Sequence, residues 1–179
     1  MFWTNLMVAI IEFVVMASMT GVFIYYIYRI FVHANPDFDM EHEIKKNNVA
    51  VGILMFSIMI SGSTILYRGL DSIMDMVRLH ASAPGQTGMN WWQLAGLGLA
   101  HITVALLMSV YTISITLRLF GRMTRGMKEG QELQRGNIAV GLLLSAVVII
   151  SALFVGSGVS AVSRALVPQL NVASVEIMQ

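Results

Sequence analysis

The chain has 179 residues, of which 56% are apolar and 12% charged, with a formal net charge of +1 and a mean hydropathy of +0.73. Soluble domains carry about 25% charged residues, so this composition excludes a large soluble domain and points to the membrane. Cysteine is absent, which rules out disulfides, thiolate metal sites and a cysteine nucleophile, and the near-zero charge gives no footprint for nucleic acid.

The first apolar run begins at Phe2 with no basic residue before it and is too long for a signal-peptide core, so it reads as a retained anchor. About 20 mostly apolar residues cross the hydrocarbon layer as a helix. Four segments qualify, at residues 6–31, 49–70, 94–120 and 138–162. None has the period-two alternation of a barrel strand, so the expectation is an all-α membrane protein with four transmembrane helices.

Between the first two spans, the link HANPDFDMEHE gathers His33, Asp37, Asp39, Glu41, His42 and Glu43. Imidazole and carboxylate suit several divalent metals. No fixed ligand spacing is present, however, and the matching link GRMTRGMKEGQE is basic, so a solvated turn around Asn35-Pro36 is expected and no metal. After the second span, LDSIMDMVRLH places Leu70, Ile73, Met74 and Val77 on one face, as either an interfacial helix or an extension of the span. ASAPGQTG then forms a connector, and the residues after Pro168 read as an exposed tail or a docking strand.

Orientation follows from Lys and Arg. The links between spans one and two and between three and four carry eight, namely Arg29, Lys45, Lys46, Arg118, Arg122, Arg125, Lys128 and Arg135. The opposite side carries three, Arg68, Arg78 and Arg164. Loops 32–48 and 121–137 are therefore expected in the cytoplasm and both termini on the periplasmic side, with Trp3, Trp91 and Trp92 at the outer interface.

The segment NVAVGIL at 48–54 is echoed by NIAVGLL at 137–143, a shift of 89 residues (137 minus 48). Without gaps, that shift also aligns Trp3 with Trp92, Arg29 with Arg118, Glu43 with Glu132, Gly52 with Gly141 and Gly69 with Gly158. Bilayer composition does not favour shared Trp, Arg, Glu and Asn, so the alignment reads as duplication. Residues 1–88 and 89–179 are expected to be two copies of a two-helix hairpin. With two spans per copy, both copies run the same way through the bilayer, as parallel repeats.

The pattern Glu43-Ile-Lys-Lys-Asn-Asn48-Val-Ala-Val-Gly52, repeated as Glu132-Leu-Gln-Arg-Gly-Asn137-Ile-Ala-Val-Gly141, resembles the YjfL-like bacterial inner-membrane proteins (domain of unknown function family 350). The resemblance covers the second half of each copy, and the first span of each by architecture alone. It implies a four-span inner-membrane protein, of a kind often encoded near phage-shock-type envelope-stress proteins. It implies no activity and no catalytic residues. The acidic, histidine-bearing first link and the outer loop depart from the family pattern.

Several polar residues stand out. Asn48 and Asn137 sit where N-caps of spans two and four belong, with Glu43 and Glu132 five residues earlier. The alternative is a polar ring at the cytoplasmic mouth of a conduit. Glu12 lies roughly 10 Å into span one, where a carboxylate must be paired, wetted or protonated. Its counterpart under the shift is His101, and across a shared axis the two could form an ion pair or exchange a proton. Ala105, Ser109, Thr112 and Thr116 continue the His101 face, answered in span one by Met16 and Thr20. This line is either a proton path or a seam joining the copies, and the seam is favoured.

A bis-histidine haem would need a second intramembrane histidine, and His33, His42 and His80 fall in links, so no cofactor is expected. Small residues in spans two and four (Ser57, Ser61, Gly62 and Ser63; Ala152, Gly156 and Ser160) allow close helix approach, inside the bundle or against a second subunit. The chain therefore reads as a non-enzymatic structural or accessory membrane subunit. Its expected partners are the lipid bilayer and either its own copies or a larger complex. The alternative is a proton or small-ion conductor using Glu12 and His101.

Overall fold

In the computed structural model, residues 2–34, 39–82, 88–124 and 126–166 are described. The centre of the ASAPGQTG connector, the Asn35-Pro36 turn and the tail after Pro168 lie outside them. Four long helices dominate: α1 (Phe2–Ala34), α3 (Val49–Ser82), α4 (Trp91–Met123) and α6 (Ile138–Leu166). Two helices of one and a half turns, α2 (Met40–Lys45) and α5 (Glu129–Gln134), stand between the members of each hairpin. No strand occurs among the described residues.

The four long helices all contain spans long and apolar enough to cross a bilayer. At 1.5 Å per residue their 29 to 34 residues reach roughly 43–51 Å, well beyond the ~30 Å hydrocarbon layer. The excess is taken up by overhang or tilt. α3 runs unbroken past the 49–70 segment, because Leu70, Ile73 and Met74 continue its buried face while Asp71, Asp75 and Arg78 stay exposed. His80, expected in a link, is therefore helical and buried.

α3 occupies the centre, packing on α1, α4 and α6, whereas among the described residues α1 packs extensively on α3 alone of the long helices. The buried residues of α1 are Phe23, Ile27 and Phe31, spaced about one turn apart, together with Val32 next to Phe31. Ile27 lies beside Gly62, and Ser109 of α4 lies beside the same glycine. Farther along α3, Gly69 faces Ala105, and Ile73 faces Gly98. The α4 residues fall as the α3 residues rise, so these two helices are antiparallel.

α3 and α6 run the same way. Ala50 lies against Gly141, Arg68 against Gly156, and Gly69 against Val159. The first crossing is a backbone contact: a Cβ on Gly141 would stand 2.7 Å from the Ala50 carbonyl oxygen and 3.0 Å from its Cα. Lipid tails are as apolar as leucine, so helices associate in a bilayer through such close packing. Element bounds also correspond across the halves. Adding 89 to the bounds of α1 and α2 gives those of α4 and α5, and adding 89 to Val49 gives Ile138.

The Gly52 and Gly141 environments differ sharply, since nothing lies within 4 Å of a Cβ built on Gly52. Gly141→Ala should lower thermal stability in detergent, by about 1–3 kcal/mol as expected for overpacking, while Gly52→Ala should be neutral or slightly stabilising. Equal effects at the two sites would contradict this packing.

Candidate functional site

The polar chemistry is concentrated at two levels. One is the hinge end, where α2 turns into α3 and α5 into α6. α2 closes with Asn47 in the left-handed region (φ 61). Asn47 N–H donates to Ile44 O at 2.9 Å and Asn48 N–H to Glu43 O at 3.1 Å, a Schellman closure. α5 closes identically: Gly136 (φ 77) donates to Leu133 O at 2.9 Å and Asn137 to Glu132 O at 3.0 Å. Asn47 tolerates that conformation better than most side chains, and Gly136 adopts it without a Cβ penalty.

Asn48 then starts α3. Its Oδ1 accepts from Ala50 N at 3.1 Å and Val51 N at 3.3 Å, an N-cap. Its Nδ2 donates to Glu43 Oε2 at 3.0 Å. The same amide reaches the other half, 2.7 Å from Leu133 O and 3.3 Å from Gln134 O. Among the described residues Asn137 copies the local part only: Oδ1 accepts from Val140 N at 3.4 Å, and Nδ2 donates to Glu132 Oε2 at 2.9 Å. Lys46 holds Glu43 at 2.9 Å, and Arg135 holds Glu132 at 2.8 Å. Within the 33–43 link expected as a solvated turn, the described part from Asp39 onward enters α2, which Asp39 caps through a 3.1 Å bond from His42 N.

Both carboxylates titrate below the usual range. The amide bond from Asn48 is the largest cause for Glu43, followed by Lys46. Asn137 and then Arg135 act likewise on Glu132. A lowered folded value means that ionisation favours the folded hinge above the ordinary carboxylate range, and that this contribution disappears as pH falls through the depressed values.

The second level is the opposite end, marked by Trp3, Trp91 and Trp92. Here Glu12 takes Arg78, not His101: Nη2 lies 2.5 Å from Oε1 and Nε 3.1 Å from Oε2, a two-pronged pair. Glu12 is 24% exposed and Arg78 52%, with Asp75 another 3.4 Å contact of the guanidinium. Arg78 is four residues from the end of α3, so the pair sits near the rim of the bundle. His80 stacks edge-on against Trp91 at 4.5 Å, and Asn90 and Gln93 form a capping box at the start of α4.

His101 lies on a different helix pair. Its Nδ1 donates to Leu97 O at 2.9 Å. It lines an apolar cavity of about 220 Å³ between α4 and α6, with Val104, Met108, Val159 and Val162. His101, Ser109 and Thr112 are buried along α4 beside Ala105, and Thr116 is half-buried. His101 Nε2 and the hydroxyls of Ser61, Ser109 and Ser145 are buried without a partner among the described residues. Thr20 instead bonds back to Met16 O at 2.8 Å in its own helix. Thus Glu12 joins α1 to α3, whereas His101 borders the α4–α6 cleft. The sequence marks Arg78 only as a basic residue of the outer side, and a pairing with Glu12 across 66 residues leaves no local signal. Nor does it mark the Leu133 and Gln134 carbonyls, because backbone acceptors leave no trace in side-chain identity.

Four long apolar helices with polar hinges at one end and tryptophans at the other define a multi-pass membrane protein. The family model "Domain of Unknown Function (DUF350)" matches residues 1–159, and the chain belongs to that family. Neither the curated proteins nor the solved structures provided a match.

Replacing Asn48 with Ala should destabilise the protein by more than the ~1 kcal/mol of a lost cap, and by more than Asn137→Ala, as read by thermal unfolding. Glu43→Gln should lower stability at pH 7, and the gap to wild type should close as the medium is acidified below the carboxylate range. A gap that widens in acid would reverse the assigned sign.

Proposed function

We propose that this protein is a non-enzymatic structural or accessory subunit of the bacterial inner membrane, working by binding partners within the bilayer. The Asn48 clamp is the observation that carries the reading. Its amide and the Glu43 carboxylate are engaged with the protein's own backbone and side chains, tying one hairpin's hinge to the other. Glu12 is likewise taken up by Arg78, so both conspicuous acids serve to hold helices together. Within this reading the halves descend from one duplicated hairpin, and the basic hinge end lies in the cytoplasm with both termini outside. A role in envelope stress accords with the family resemblance.

The reading predicts that the protein extracted from its native membrane in mild detergent runs as a species larger than one chain with its detergent belt. A monomer alone, with no companion by native mass spectrometry, would defeat it. Tags on either terminus should label from outside the cell.

A second reading, proton conduction, draws support from the unpartnered nitrogen of His101 and the three buried serine hydroxyls, which would gain from transient water. In dye-loaded proteoliposomes, conduction would give a proton flux that His101→Ala abolishes. The partner-binding reading expects flux no greater than in empty liposomes.

A further inference from the structure

The two halves carry matching helices but do not use them in the same way. A two-fold pairing would make every contact twice: Ala50 against Gly141 would require Ala139 against Gly52. Yet Ala139 is exposed, and the space over Gly52 is open to 4 Å. The same split recurs farther along. Gly69 is crowded, with Ala105 at 2.8 Å from a built Cβ and Val159 at 3.9 Å, while its counterpart Gly158 has nothing within 4 Å. The hinge repeats the asymmetry a third time. Asn48 reaches Leu133 O and Gln134 O, whereas Asn137 reaches only Glu132 with its Nδ2 among the described residues.

The halves are therefore packed head to tail. α3 offers one face, through Asn48, Ala50 and Gly69, to a different face of the second half, through Gly141, Gly156 and Val159. Each chain is left with one unused copy of each face. On α6 the unused face holds Asn137, Ala139, Leu143, Ile150 and Phe154, of which Phe154 is 76% exposed. The α3 residues matching the last three, Leu54, Ser61 and Ile65, are all buried. On α3 the unused face holds Gly52, Phe56, Ser63 and Tyr67.

We propose that a second copy of this chain docks head to tail, its α3 face around Gly52 and Tyr67 receiving the outer face of α6 around Ala139 and Phe154. This rests on the partner-binding reading above and names the partner. Exposed apolar side chains alone would indicate only lipid contact. The argument lies in continuity with the internal interface, which supplies both faces, their register and a matching polar bond. By that register Ala139 meets Gly52 of the next copy, and Asn137 meets the carbonyls of Ile44 and Lys45. Phe154 falls level with the stretch between Ser63 and Tyr67. An open groove of about 860 Å³ lies there, bordered also by Phe56 and by Ile24 of α1. The bulkier Phe154, standing where α3 has Ile65, thus meets a wider groove.

Because the chain has no cysteine, site-directed cross-linking has no background. Two differently tagged full-length copies are co-expressed, one bearing Gly52→Cys and the other Ala139→Cys, and oxidised in native membranes. The mixed pair should cross-link, neither variant alone should, and a chain carrying both should give a ladder of multiples. Dimers from a single variant would mean two-fold association and overturn the proposal. A high-mass species in mild detergent without any 52–139 cross-link would also overturn it, while leaving partner binding intact. Gly52→Leu should abolish the high-mass species without lowering the thermal stability of the single chain. Retention of that species would count against this face.

Discussion

The close crossing of α3 and α6 at Ala50 and Gly141 is the constraint on which the architecture depends. In water, two apolar helices associate because water rejects them; in lipid that force is absent, and association follows from contact area, short backbone approaches and buried polar bonds. Gly141 brings one helix onto the backbone of the other. Asn48 adds the polar bond at the same level, bridging to the carbonyls that end α5. With that end fixed, Gly69 and Gly156 set the approach farther along, and α4 fits into the angle between α3 and α6. α1 is peripheral by comparison, held by Ile27 near one end and by the Glu12–Arg78 pair near the other.

Much of this arrangement is legible in the sequence. Asn followed at once by an apolar run marks the starts of α3 and α6 at Val49 and Ile138, because an N-cap side chain is a local signal. The Leu70, Ile73, Met74 stripe likewise leaves room for the continuous α3 that is found. The two short helices escaped detection for an equally local reason. Six residues as polar as MEHEIK and EGQELQ lack the length for an apolar period to emerge, and their helicity depends on the Schellman closures at their ends.

The site was legible in part. Asn48 and Asn137 were recognisable as caps, but the bridge from Asn48 to the second half depends on how the halves dock. Glu12 and His101 occupy corresponding positions, and a symmetric pairing would have put them face to face. The actual docking inserts α3 between their helices, so Glu12 finds Arg78, 66 residues distant, and His101 faces the α4–α6 cleft. A basic residue at the end of a long helix is well suited to that task. Its stem follows the apolar surface while the guanidinium stays near the rim, sparing the acid an isolated charge in hydrocarbon.

Corresponding positions in non-corresponding environments also account for where the halves differ in side-chain size. Ala152 and Gly156 are small and buried in the second half, whereas Ser63 and Tyr67 occupy the same positions in the first, on a face left uncovered within the chain. Conversely, Ser61 and Ile65 are buried on α3, while Ile150 and Phe154 stand at those positions on the outside of α6. Side chains on the used faces are limited by the neighbouring backbone and those on the unused faces are not, so the bulkier residues stand on the latter. Had the halves met by a two-fold axis, each pair would share one environment and no such sorting by size would arise. The size pattern is thus a record, written in side-chain volume, of a head-to-tail rather than a symmetric junction.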